Sequence, residues 1–508
     1  MNIKFVKIGF GFILFLVVIG FIVITWVNGE LDRSRGGTTN VVELKDKPKP
    51  YAKVIIKNVN ILSPDCNQFI PNQNVVLQDG NILSIHQDSV IDEGYEIVDG
   101  QDKFLIPGLV DSHVHLRQSK NDLILYLANG VTYVREMSGN RNHLKWRDEI
   151  QEGALGPKMF IASEKVNSTG GVAGLFESWT RNRINYATEK AAAKKIRQLK
   201  DDGFDAVKIS TFINDEMYRA TVQEANKQAL PIIGHIPFSV GLDSIYDAGQ
   251  CEVAHVEEIT KGMIRKFGRI NADNAKEFLE YLEEQSDSIA IALRQNNIAV
   301  STTVLLMESL PEQKFNLESY IKKVKLQYAN PGPMEGTRLS SGWLPGNNSY
   351  AEPAETLNDP EKRRSSKIFW KTYVDAIHIM TRALAKNNVV IMAGTDANVP
   401  VTIPGFSLHD ELVSLSKCGM TNAQVLYAAT VAPGIWMKSN TGMIKEGYEA
   451  DLVLLSKNPL AQIEHTTSIE SVFCGRYWLT KNRTSQLLDA VAEANDKSRK
   501  IDISELIN

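Results

Sequence analysis

The first apolar block of the chain runs from Ile8 to Val27 without a charged residue, preceded by Lys4 and Lys7 and followed by Glu30 and Asp32. About twenty such residues suffice to cross a bilayer as a helix, whereas a cleavable leader has a shorter apolar region and small residues before its cut site. Here the run ends in Trp26-Val27-Asn28-Gly29, so residues 1–29 are expected to form an uncleaved signal anchor, with secretion after cleavage as the alternative. Lysines before the span and acids after it place the N-terminus inside and everything from Glu30 onward on the periplasmic or extracellular side. The polar stretch 30–50, ending in Lys-Pro-Lys-Pro, reads as a tether.

After the tether the period changes. The runs AKVIIKNVNIL, NVVLQDGNILSI and YEIVDG, separated by turns such as Asp79-Gly80, predict short strands over 51–104. A similar signature returns within 437–485, in TGMIKEGYEADLVLLS and SVFCGRYWL, and the two segments are expected to pair into one accessory sheet. Between them, short apolar strands alternate with helical stretches such as TEKAAAKKIRQLKDDG, the pattern of a parallel sheet in an α/β protein. The strands are FLIPGLVDSHV, GVTYVREM, PKMFIAS, AVKIS, PIIGHI, CEVAHV, NIAVSTTV and VVIMAGTDA. Eight strands fit a (β/α)8 TIM barrel over 105–436, whose site lies at the C-terminal strand ends. The Pro- and Gly-rich stretch inside 308–368 is expected to be a lid or a disordered insertion, and 486–508 a C-terminal tail.

Composition adds mainly exclusions. The chain has 508 residues, 43% hydrophobic and 23% charged, an ordinary globular balance that fits one large domain with an accessory one. A net charge of −4 and the lack of a Lys/Arg block with interleaved aromatics give no sign of a nucleic-acid partner. Cys66, Cys251, Cys418 and Cys474 form no CxxC, which argues against a cysteine zinc site or redox pair and leaves a disulfide open. A homo-oligomer is also left open.

Chemistry concentrates at the strand ends. Of nine histidines, His113 and His115 end the first strand, His235 the fifth and His255 the sixth. Residues i and i+2 of a strand face one way, so His113 and His115 can bind one ion together. Alone, H-x-H reads equally well as two polar residues at a strand end; three further strands ending in metal-capable residues change that. Asp396, after the apolar VVIM, would face the same mouth, as ligand and proton carrier or else as a helix cap. Lys208 lies in AVKIS, an apolar setting that lowers an amine pKa and leaves it able to react with carbon dioxide. Its alternatives are an ion-pair partner or a substrate-binding cation. His409 after the last strand and Arg135 after the second are candidate substrate contacts, against a capping histidine and a structural salt bridge.

In this order the segments IPGLVDSHVHL, GVTYVREM, FDAVKIS, IIGHI, VAHVEE, AGTDA and GMIKEGYEADLVLLSKNPL resemble the amidohydrolase superfamily, in the branch near imidazolonepropionase and the Xaa-Pro dipeptidases. The resemblance covers most of the chain after about residue 50 and implies a barrel with a composite β-sandwich domain. It implies that His113, His115, His235, His255 and Asp396 are metal ligands, with carbamylated Lys208 bridging two Zn²⁺ ions in the binuclear members. Strand six departs from the commoner His-Gly ending with His255-Val256-Glu257-Glu258, which bears on the shape of the substrate pocket. The implied activity is metal-dependent hydrolysis of an amide or peptide bond in a small substrate such as a dipeptide or N-acyl amino acid, with Asp396 as general base and acid. Cyclic amide or lactone hydrolysis is the alternative, followed by an inactive, membrane-tethered binding protein. A serine hydrolase is disfavoured because no G-x-S-x-G occurs.

Overall fold

The computed structural model describes residues 3–44, 48–88 and 93–507, so residues 45–47 of the expected tether lie outside the described residues. Each of the eight segments expected as central strands contains one. FLIPGLVDSHV holds two: Gly108 separates β5 (Phe104–Pro107) from β6 (Leu109–Val114), and the two join different sheets.

One sheet collects strands from both halves of the chain. β1 (Lys53–Leu62), β2 (Phe69–Gln78), β3 (Asn81–His86) and β4 (Glu96–Asp99) precede β5, and β16 (Leu452–Leu455), β17 (Ile469–Cys474) and β18 (Tyr477–Thr480) come from the far end. The order is β18-β17-β16-β5-β1-β2-β3, with β4 beside β1, and antiparallel β16 and β5 form the seam. Alternation places Val54, Ile56, Val75, Leu77, Leu105, Leu452 and Phe473 in a core of their own.

The remaining strands are parallel. β6, β7 (Val131–Glu136) and β8 (Lys158–Ile161) make one sheet. The other contains β9 (Val166–Asn167), β10 (Ile184–Asn185), β11 (Val207–Ile209), β12 (Ile232–Gly234), β13 (Gln250–Ala254), β14 (Ala299–Ser301) and β15 (Ile391–Met392). The two are bonded to each other on both sides. Ala162 bridges to Ala206, with Ser163 N donating to Ala206 O at 2.9 Å. Val114 bridges to Ala397, with Asp396 N donating to His113 O at 2.8 Å. β9 and β10 are two-residue strands that the sequence pattern does not reveal.

Helices follow the expected periodicity. Thr188 Oγ1 accepts from Ala191 N to cap Glu189–Asp201, whose stripe of Ala192, Ile196 and Leu199 is buried. The 308–368 stretch is packed, because it carries apolar residues of its own. Ile321, Leu326, Met334, Trp343 and Leu344 form a cluster with Val401, Ile403 and Ile503. After β18, the helix Lys481–Asp496 buries Leu487 and Val491. All four cysteines are free thiols.

The N-terminal helix, Ile3–Ser34, is long and apolar enough over Phe12–Ser34 to cross a membrane, and none of that apolar window is buried. Its far end is bonded to the body. Trp179 Nε1 donates to Asn28 Oδ1 at 2.7 Å, Arg338 N donates to Glu30 Oε2 at 3.0 Å, and Arg33 pairs with Glu335 at 3.3 Å. Beyond it, Arg35 donates to Thr180 O at 2.7 Å and accepts at its carbonyl from Gln118 N at 3.0 Å.

Candidate metal centre

Six residues foreseen as ligands converge at the C-terminal strand ends. His113 and Lys208 are fully buried, and His115, His255 and Asp396 nearly so. His113 Nε2 and His115 Nε2 lie 3.3 and 3.0 Å from Asp396 Oδ1. The rings of His113 and His255 are 4.3 Å apart between centroids, and those of His235 and His255 5.2 Å. Ligating atoms of His113, His255 and Asp396 all fall within 4.8 Å of one another, a spacing that one divalent ion can fill.

The surroundings aim these groups inward. Nδ1 of His235 is hydrogen-bonded to Thr211 Oγ1 at 2.7 Å and Nδ1 of His255 to Thr303 Oγ1 at 2.9 Å, which turns each Nε2 toward the centre. His115 Nδ1 faces Glu136 Oε1 at 3.7 Å. Asp111 joins the two sides of the site. Its carboxylate accepts from His113 N at 3.3 Å, Thr395 N at 3.1 Å and Thr395 Oγ1 at 2.7 Å. His255 (φ 73°) and Asp396 (φ 57°) adopt left-handed backbone, a cost proteins tolerate mostly at functional sites. Gly394 is required by space, since a Cβ there would sit 2.7 Å from His113 Cβ.

Several buried atoms here remain unsatisfied. Apart from the close approach of the His113 and His115 ring nitrogens to Asp396 Oδ1, the buried atoms Nε2 of His113, Nε2 of His235, Nζ of Lys208 and Oδ1 of Asp396 have no hydrogen-bond partner. An orphaned buried polar atom is costly, and four facing one centre fit a cation. Protonation agrees. Burial, helped by the Lys208 and Lys165 charges, pushes His113 and His235 well below the ordinary imidazole range, leaving neutral rings with free lone pairs. Burial and neighbouring Lys165 push the Lys208 amine down to about 7. For Asp396, burial acts upward but His115 and His255 outweigh it, so the carboxyl stays ionised far below its usual range.

Above the centre is a cavity of about 400 Å³. His115 and Asp396 form part of its floor; Arg35, Arg117, Lys165, Arg181 and Arg183 ring it, against the carboxylates of Glu136 and Asp396. The Arg117 guanidinium Nε has no partner. Tyr350 reaches the cavity from the 308–368 stretch. Lys165 and Arg117 follow strand ends closely and carried a readable signal; Arg35, Arg181 and Arg183 come from outside the strand pattern.

His409 and Arg135 do not join this cavity. His409 lies on the buried face of the helix Phe406–Lys417, with Nδ1 bonded to Thr466 Oγ1 at 2.9 Å and Nε2 to Asn129 O at 3.1 Å. Arg135, fully buried, donates to Glu252 Oε2 at 2.5 Å and lies over the rings of Trp436 (4.3 Å) and Phe160 (5.1 Å).

The sequence model described as "Amidohydrolase family" matches residues 104–476, most of the chain. The chain belongs to the amidohydrolase family. It is therefore an enzyme that hydrolyses carbon–nitrogen bonds. No curated protein matches it. Among solved structures, this amidohydrolase is similar to a bottromycin amidohydrolase, at 19% identity and TM-score 0.65, covering 92% of this chain and 93% of the other. A Xaa-Pro dipeptidase with methionine bound in its active site is 18% identical with TM-score 0.58, over 84% of this chain and all of the other. For the ochratoxinase of A. niger the values are 16% and 0.58, over 85% and 96% of the two chains. At such identities the likeness is one of fold.

Proposed function

We propose that this amidohydrolase cleaves an amide or peptide bond in a small anionic substrate such as a dipeptide or an N-acyl amino acid. The observation that carries the reading is the set of four orphaned atoms on His113, His235, Lys208 and Asp396 beneath a cavity ringed by five cations. Bridges at Ala162–Ala206 and Val114–Ala397 support a closed (β/α)8 barrel over 105–436, and the β16–β5 seam supports a composite β-sandwich from 51–104 and 437–485.

Two zinc ions are assigned to His113, His115, His235, His255, Asp396 and Lys208, the last as its carbamate. Lys208 suits this because an amine with a pKa near 7 is partly neutral at physiological pH and adds to carbon dioxide with loss of one proton. Zinc at such a site supplies Lewis acidity, lowering the pKa of water and polarising the scissile carbonyl. Asp396, ionised, takes the proton from the attacking water and returns it to the departing amine. Arg117, Lys165, Arg181 and Arg183 hold the substrate carboxylate, fixing the scissile bond over the ligands.

The N-terminal helix is assigned as an uncleaved anchor with the body on the extracytoplasmic side. Cutting after Gly29 would discard Asn28, the partner of Trp179, which supports retention. The test uses the zinc-loaded full chain against N-acyl amino acids, dipeptides ending in Pro or Arg, and small lactams. Turnover of an acyclic carboxylate is expected; turnover of lactams alone would refute the reading. Asp396→Asn is expected to abolish turnover while some metal stays bound, and full activity would refute its role. If Lys208→Ala kept two metals and full rate, the assignment of carbamylated Lys208 as a ligand would fall.

A further inference from the structure

The helix Gly171–Arg181, between β9 and β10, turns its apolar side outward. Val172 is 82% exposed, Leu175 73%, Phe176 58% and Trp179 38%, and their spacing of i, i+3, i+4 and i+7 puts them on one helix face. The side facing the body is polar or small: Gly174 is buried and Glu177 accepts from Asn167 Nδ2 at 3.3 Å. A surface helix of a soluble protein buries its apolar stripe. One that exposes it marks a contact with something apolar.

We propose that this face lies in the headgroup boundary of the bilayer that the N-terminal helix spans, so that the cavity above the metal centre opens at the membrane surface. The inference rests on the anchor reading and deepens it. Continuity with the anchor identifies the occupant. Trp179 Nε1 is bonded to Asn28 Oδ1, and Asn28 is the first polar residue after the apolar run that ends at Val27. The indole is thus held at the level where hydrocarbon gives way to water, where tryptophan is enriched. From Asn28 the helix continues to Ser34, about 9 Å at 1.5 Å per residue. The next residue, Arg35, both lines the cavity and donates to Thr180 O, so that edge of the cavity lies within about 10 Å of that level.

Two neighbouring loops agree. Phe212 (62% exposed) and Phe238 (51%) follow β11 and β12 at the same strand ends as the cavity, with rings 5.7 Å apart. The first of these loops is tied to the start of the outward-facing segment by Asn214 N donating to Ser168 Oγ at 2.9 Å. Arg181 ends the outward-facing helix and Arg183 follows it by two residues, so the cavity they line lies beside the apolar face, where the anionic end of a substrate arriving from the leaflet would meet them. A face set against a bilayer admits an amide whose acyl chain stays in the leaflet while its anionic end enters the cation-ringed mouth.

The test is tryptophan quenching in the full chain, reconstituted into phosphatidylcholine nanodiscs whose lipids are brominated near the glycerol end of the acyl chains. Trp26→Phe reports the anchor, and Trp179→Phe and Leu175→Trp report the outward face. Leu83→Trp, on exposed β3 of the other sheet, is the remote control. The expected result is a smaller quenched fraction in Trp26→Phe and Trp179→Phe, a larger one in Leu175→Trp, and in Leu83→Trp only the small fall that one added, unquenched tryptophan gives. If Trp26 is quenched while Leu175→Trp behaves like Leu83→Trp, the anchor stands and this proposal is overturned. If Trp26 is not quenched, the anchor reading itself fails and takes the proposal with it. Concentration-dependent shielding of Leu175→Trp from both brominated lipid and aqueous iodide would assign the face to a second copy and overturn the proposal as well.

Discussion

Replacing Arg135 by Met separates a structural cation from a substrate-binding one. Arg135 and Glu252 are both fully buried and paired at 2.5 Å, so the substitution strands the Glu252 carboxyl among β-strand side chains. Removing one partner of a buried pair costs about 3–5 kcal/mol, which here includes the loss of the guanidinium from the faces of Trp436 and Phe160. For a domain of about 150–250 residues each kcal/mol shifts the melting midpoint by roughly 2–4 °C, and by less for a larger body, so a fall of roughly 5–10 °C is expected. Arg135 Nε and Glu252 Oε1 have no partners even in the intact pair. The pair is therefore only partly satisfied, and Arg135→Met combined with Glu252→Leu is expected to recover most of the loss. The assay is thermal unfolding of metal-free protein for the two single variants and the double, read as a double-mutant cycle. An unchanged midpoint in Arg135→Met together with a raised KM would show that Arg135 meets substrate, and would refute the structural assignment.

Other outcomes follow from the surroundings of the proposed ligands and from a half-buried carboxylate. Thr303→Val or Thr211→Val removes the hydroxyl that orients His255 or His235 and is expected to weaken metal binding by about 10–100-fold in chelator competition; unchanged affinity would refute that role. Burial pushes Glu308 upward, but the His378 imidazole at 2.7 Å and the Ser414 hydroxyl at 2.6 Å outweigh it and hold its pKa below the ordinary 4.5. Its contribution to stability is present above pH 4.5 and fades as pH falls through the lower folded value. Glu308→Gln is expected to be less stable than wild type at pH 7 and to converge on it in acid; an offset unchanged down to about pH 3 would refute the assignment.

The centre was legible because burial makes polar residues conspicuous. His113, His235, His255, Lys208 and Asp396 each follow or interrupt a short apolar run, and a polar side chain at such a point needs a partner. The runs fixed which residues form strands but not where one sheet hands over to another. At Pro107-Gly108 an unbroken apolar pattern crosses between sheets, because both halves are buried, one against the accessory core and one against the central core. His409 misled by proximity: four residues past Gly405 it is on a helix, where the periodicity of 3.6 turns it into the core and away from the mouth. Arg35, Arg181, Arg183 and Tyr350 carry no local signal. Folding brings them to the cavity from the end of the N-terminal helix, from a helix between two-residue strands and from the 308–368 stretch.

The Asp111 carboxylate spans 284 positions of sequence to hold Thr395, two backbone steps from His113 on one side and one from Asp396 on the other. Neither half of the chain can assemble the donor set alone. A nascent chain holding only the first strands has His113 and His115 but no Asp396, so an ion held by the proposed donor set would load tightly only after the last strand has been made and has met the first. On the proposed assignment, metal uptake would act as a proofreading step in biogenesis, since an ion bound by the folded chain and not by open forms draws the population toward completion. On that assignment, loading kinetics would report the meeting of the first and last strands, and a misassembled chain would fail to retain an ion.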